Sequence, residues 1–216
     1  MKRVFPPYTN TLARVGLAAA VGVPVALGCT AATYNWSPYV TQVDVPRNQP
    51  VPFSHQHHVG GLGLDCRYCH TSVETSSFAN VPPVHTCMTC HSQIWKDSPI
   101  LAPVRDSYAS NLPLQWTRVH YLPDFVYFNH SIHVNKGIGC ESCHGRVDQM
   151  PLMQKSSSLF MAWCLNCHRD PAAFVRPRSE IFTMGYKPPK SQREEGEALV
   201  KQYKVQKLQD CYTCHR

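Results

Sequence analysis

The chain opens with a stretch in which polar positions almost vanish. Val15 to Ala32 is eighteen residues without a charge, and Thr11–Ala13 extends the run. A helix needs about 20 such residues to cross a bilayer. Lys2, Arg3 and Arg14 come before the run, and the first charges after it are Asp44 and Arg47. This bias predicts an N-terminus held in the cytoplasm and a remaining chain outside the bacterial inner membrane. Tyr34, Trp36 and Tyr39 fall where an outer aromatic belt would lie. Ala18, Gly22 and Ala26 form a small-residue stripe that permits close approach of a second helix. Pro24 should kink the span. Residues 1–36 are therefore expected to be a short stub and an uncleaved single-pass anchor, not a signal peptide, packed against a polytopic membrane partner.

The pattern changes from residue 37 onward. Residues 92–127 combine aromatics of little period with repeated prolines, and residues 171–190 carry Pro171, Pro177, Pro188 and Pro189. Both read as irregular connectors. The clearest helix is Ser191 to Gln209, where Ser191 and Glu194 form a candidate capping box and acids precede lysines. The expected fold is mostly α and irregular with little sheet.

Composition supplies the chemistry. There are eleven Cys and twelve His among 216 residues. Ten of the Cys fall in five C-x-x-C-H pentads: Cys66, Cys69 and His70; Cys87, Cys90 and His91; Cys140, Cys143 and His144; Cys164, Cys167 and His168; Cys211, Cys214 and His215. This is the attachment signature of c-type haem. Two thiols add across the vinyl groups of one porphyrin, and the adjacent His becomes the proximal iron ligand. Two intervening residues place the thiols one helical turn apart. Zinc could use C-x-x-C pairs, but zinc does not require a His after every second Cys. Covalent attachment of five haems also suits a chain with too few residues to wrap five deep pockets.

Seven His remain: His55, His57, His58, His85, His120, His130 and His133. Val51–His58 and Val126–His133 both read V-x-F-x-H-x-x-H, each followed by two pentads, at an offset of 130 − 55 = 75 residues. This is an internal repeat of a two-haem unit, about 51–91 and 126–168, with the fifth haem at 211–215 outside it. His at i and i+3 share a helical face, so each pair can serve two neighbouring irons. His55, His58, His130 and His133 are therefore the candidate distal ligands. His57 lies on the wrong face, and His85 sits too close to Cys87. His120 is a candidate for the fifth distal position, with Met150 and Met161 as alternatives because Met also ligates haem iron.

The net charge is +7, which alone could indicate nucleic acid or acidic lipid. Two propionates per haem, against at most one positive charge on the ferric core, add about −5 oxidised and −10 reduced. The Lys and Arg surplus then reads as propionate partners, and no nucleic-acid partner is expected.

The F-x-H-x-x-H and C-x-x-C-H units resemble class III multihaem cytochromes c. Leu64–Glu74, Arg118–His130 and Met161–Arg169 more narrowly resemble the pentahaem subunit of bacterial alternative complex III. This resemblance implies an electron-transfer subunit that is not an enzyme by itself. It implies neighbours: polytopic quinol-binding membrane subunits, an iron–sulfur subunit, and a monohaem cytochrome c or other small carrier that accepts electrons. The spare His57 and His85 depart from the pattern. A freestanding membrane-anchored quinol dehydrogenase is the competing expectation.

Overall fold

A computed structural model describes residues 4–215, so Lys2 and Arg3, counted above for orientation, lie outside the described residues. The chain divides into two compact units, one ending at Gln42 and the other beginning at Val43. In the first, helix α1 spans Thr9–Trp36 without a break at Pro24, and none of its residues is buried. At 1.5 Å per residue its 28 residues reach about 42 Å. An 18-residue stretch within it has a mean hydropathy of 1.9, so the helix is long and apolar enough to cross a membrane. Thr30 and Thr33 donate their hydroxyls to the Ala26 and Cys29 carbonyls, both at 2.8 Å, which satisfies polar groups within the helix. Extended backbone at Ser37 ends α1, and Pro38 starts the short α2, Pro38–Thr41.

The second unit is built from short helices joined by irregular chain. In order these are α3 (Cys66–Cys69), α4 (Val84–His91), α5 (Ala102–Ser110), α6 (His130–Asn135), α7 (Cys140–His144), α8 (Met161–Arg169), α9 (Gln192–Gln202) and α10 (Cys211–Cys214). The described residues contain isolated bridges, such as Val126 with His215 and Ile138 with Val175, but no sheet. The apolar core is small. Val51, Leu101 and Val104 form one cluster, and Val73, Val134 and Ile181 another.

Three expectations need correction. The 92–127 connector contains α5, because its prolines sit where they do no harm. Pro99 opens a 3-10 turn and Pro103 lies in the first turn of α5, positions where a missing N–H is tolerated. Leu101 and Val104 then bury against Val51. The last long helix stops at Gln202, short of Gln209. Lys204 takes a left-handed conformation (φ 52°), which breaks the helical path. The capping box does not form either. Ser191 donates to the Glu195 side chain instead.

Candidate haem-attachment sites

All five Cys pairs lie on helices: α3, α4, α7, α8 and α10. The helical turn puts both sulfurs of a pair on one face. Local sequence explains the first of these turns. The Asp65 carboxylate accepts from the Arg67 backbone N–H at 2.8 Å, capping α3, and also holds the Arg67 guanidinium. None of the eleven cysteines is in a disulfide. Among the described residues no three His, Cys, Asp or Glu side chains converge as a zinc cage would require.

The two F-x-H-x-x-H turns repeat one arrangement. Phe53 stacks on His58 at 4.4 Å and meets His55 edge-on at 4.9 Å. Phe128 stacks on His133 at 4.4 Å and meets His130 edge-on at 4.8 Å. The repeat tolerates different backbones. His130 and His133 lie on α6, capped by the Asn129 side chain, whereas His55 and His58 begin a π-helical turn over Gln56–Gly61. In both copies the second His faces a pentad His. The His58 and His91 rings lie 6.2 Å apart at 67°, and the His133 and His168 rings 6.2 Å apart at 71°.

Nδ1 of His58, His70, His91, His130, His133 and His215 lies at 2.6–3.1 Å from a backbone carbonyl oxygen. A carbonyl only accepts, so Nδ1 carries the proton and Nε2 is left with its lone pair. This is the tautomer a metal-ligating imidazole needs.

The first and third pentads meet. The Cys66 and Cys140 thiols are neighbours, and their interaction pulls the Cys66 thiol down to about 7 and pushes that of Cys140 up. Around them gather His55, His70, His120, His130 and His144. His130 and His144 lie 6.4 Å apart with nearly parallel rings, at 11°. His120 packs edge-on against His144 at 4.4 Å. Burial, reinforced by neighbouring imidazoles, lowers His144 to about 3 and His55 to about 4. Burial first, then the Lys155 charge, lowers His120 to about 4. All three rings are thus held neutral and able to donate a lone pair. His55 Nδ1 and His120 Nε2 are buried with no hydrogen-bond partner among the described atoms.

The other candidates are dispersed. His57 stacks near Trp95 at 6.1 Å, and His85 packs against Tyr108 at 4.8 Å. Met150 is buried, and its terminal methyl lies near Gly145, just past the third pentad. Met161 is exposed at the start of α8. The ring beside His215 is Phe125, at 5.8 Å. His120 and Met150, candidates for the fifth distal ligand, both lie beside the third pentad.

Residues 34–104 match the class III cytochrome c family, and residues 126–216 match the family of cytochrome c7 and related cytochromes c. Each match contains one F-x-H-x-x-H turn and the pentads that follow it. The chain is a multihaem cytochrome c. This cytochrome is also similar to the multiheme cytochrome c subunit of menaquinone reductase from Nitratidesulfovibrio vulgaris (strain Hildenborough). The two are 34% identical over 125 residues, covering 57% of this chain and 56% of that protein. The cytochrome thus spans little more than half the length of this curated relative.

The donor set fits the covalent c-type haem that these families carry. Two imidazoles on opposite faces of one iron, with nitrogens about 2 Å from the metal, place their ring centroids roughly 6 Å apart. The His58–His91, His133–His168 and His130–His144 pairs have that spacing. The cytochrome also holds a cation that pattern reading did not single out. Arg176 is buried beside the third pentad, stacked on Tyr186, and bonds the neutral oxygens of Glu180, Thr183 and Ser142. Its only sequence signal was the general Arg surplus.

Proposed function

We propose that this cytochrome is an electron relay carrying five haems, one on each pentad, within a membrane complex that oxidises quinol. The observation that carries the reading is the duplicated 6.2 Å imidazole pair, His58 with His91 and His133 with His168. Two such sites, each on its own repeat, are what an electron path needs and a single catalytic pocket does not. Haem supplies one-electron iron chemistry when bound.

The chain's own groups supply the rest. The pentad Cys residues hold the macrocycles. His70, His91, His144, His168 and His215 serve as proximal ligands. His58 and His133 serve the second and fourth irons as distal ligands. His55 and His130 serve the first and third. Backbone carbonyls fix ring orientation and tautomer, so the imidazoles need not reorganise when an electron arrives. Arg176 and other cations face propionates.

The helix Thr9–Trp36 acts as the anchor, with the haem unit outside the inner membrane. The small-residue stripe on that helix and the menaquinone reductase relative together support a polytopic quinol-binding partner, in the manner of alternative complex III. An iron–sulfur subunit and a small electron carrier complete the circuit. The test is extraction of the full chain from its native membrane in mild detergent. Quinol should reduce the haems in the intact complex but not in the separated cytochrome. Quinol oxidation by the separated chain would mean a freestanding dehydrogenase.

A further inference from the structure

We propose that Arg176, reinforced by Lys155, holds the third haem at a higher potential than its imidazoles alone would set, so that this haem is reduced before the first. This rests on the reading that each pentad carries a haem.

Arg176 and Lys155 are the buried cations among the described residues, at 5% and 8% exposure. Both lie at the third pentad. The Arg176 guanidinium packs against the bare Cα of Gly139, the residue before Cys140, where a Cβ would overlap it. Its Nη2 donates to Ser142 Oγ, inside the pentad, at 3.2 Å. Its Nη1 donates to the Glu180 and Thr183 carbonyls at 3.2 and 3.3 Å. The Tyr186 ring centre lies 4.7 Å from the guanidinium carbon. The Lys155 ammonium lies 5.3 Å from the centre of the Tyr121 ring, and the adjacent His120 packs on His144.

None of these partners of Arg176 is an anion. Among the described residues no carboxylate forms an ion pair with it. Glu141, the acid within the third pentad, accepts from the Gly185 N–H instead. A guanidinium kept from water among neutral oxygens carries a desolvation cost that those bonds only partly offset. The three bonds also leave two of its five N–H groups to spare. A propionate of the third haem is an anion that this chemistry fits.

The first pentad has donors of the same kind, His55 and His70, but a different electrostatic setting. Its cation, Arg67, is half exposed and forked onto the Asp65 carboxylate, at 2.8 and 2.9 Å. A charge so paired and so wet has little effect on a neighbouring haem. Reduction places one electron on the iron and breaks no bond. The electrons come from quinol, oxidised elsewhere in the complex with release of two electrons and two protons. A cation held in low dielectric stabilises the added negative charge, and so favours the ferrous state. Even paired with a propionate, Arg176 cancels one negative charge that the haem would otherwise bear.

The experiment is proton NMR of the full-length cytochrome in detergent at a series of poised potentials, each haem assigned through the thioether links to its own Cys pair. Haem content is measured on the same samples by mass of the denatured chain. In the unaltered protein the third haem is expected to be half reduced at a more positive potential than the first. Arg176→Gln should lower the reduced-to-oxidised ratio of the third haem roughly tenfold at fixed potential, a shift of about 59 mV for one electron. Arg176→Lys should keep most of the original value. Ser142→Asp, which sets a carboxylate beside an intact Arg176, should lower the third haem as well. The first haem reduced before the third would overturn the proposal whatever the variants do. So would equal shifts in Arg176→Gln and Arg176→Lys, which a merely structural role would give, or a third haem unmoved by Arg176→Gln. If Arg176→Gln loses its third haem, an unmoved third haem in Ser142→Asp would overturn it in the same way. Fewer than five haems in the unaltered chain would overturn the reading beneath it, and the proposal as well.

Discussion

The imidazoles of His133 and His168 lie 6.2 Å apart at 71°, although 35 residues (168 − 133) separate them in the chain. The same relationship recurs 75 residues earlier (133 − 58) for the partner that precedes it, His58, at 6.2 Å from His91. Exchanging one of these proposed distal ligands for a thioether should raise the potential of one haem and leave the others in place. His133→Met is expected to keep the haem content of the native chain while moving one component of a redox titration upward. An unchanged titration would remove His133 from the ligand set.

Phe128 touches both proposed distal ligands of its repeat, stacked on His133 and edge-on to His130. A ring so placed fixes the orientation of two imidazole planes, and such aromatic contacts contribute about 0.5–1.5 kcal/mol. Phe128→Leu should therefore alter the low-temperature EPR signals of two ferric haems together, without loss of haem. A change confined to one signal would mean that the edge contact to His130 does not orient it.

Gly196 in α9 lies directly against the Ala172 carbonyl. A Cβ there would come within 1.9 Å of that oxygen, with no flexible side chain to yield. Gly196→Ala should cost roughly 1–3 kcal/mol by overpacking. This would appear as a thermal transition several degrees lower, with the visible spectrum of the folded protein unchanged. An unaltered transition would show that α9 can move off the Pro171–Ala173 turn at no cost.

The buried apolar side chains are few and split into separate clusters. They cannot offset the chain entropy of the 43–216 unit alone. Expression without haem maturation should give a chain lacking cooperative unfolding beyond α1, as circular dichroism would report. A cooperative transition in the haem-free unit would contradict this.

The sites were legible to different depths. Each C-x-x-C-H pentad is a local device, two thiols on one turn, so spacing alone revealed it. The Phe, first His and second His of each repeat were visible as a pattern. The reason for the Phe was not visible, because its contact with both rings exists only in three dimensions. The meeting of Cys66 with Cys140, 74 residues apart (140 − 66), leaves no periodic trace in sequence. The iron that His120 would serve was not visible in sequence, because its packing against His144 depends on that same long-range closure. The helix α5 was hidden by prolines that read as breakers but occupy its entry. The end of α9 turned on the single left-handed residue Lys204, a position where composition suggested continuation.

Everything above depends on macrocycles bonded to the ten pentad sulfurs. The most direct measurement is the intact mass and pyridine haemochrome absorbance of the full chain after denaturation and acid–acetone extraction, which removes haem that is not covalently held. Five equivalents per polypeptide, lost one at a time as successive Cys pairs are changed to Ala, is the predicted result. A polypeptide with no residual haem, or with a count unmoved by removing Cys211 and Cys214, would contradict it.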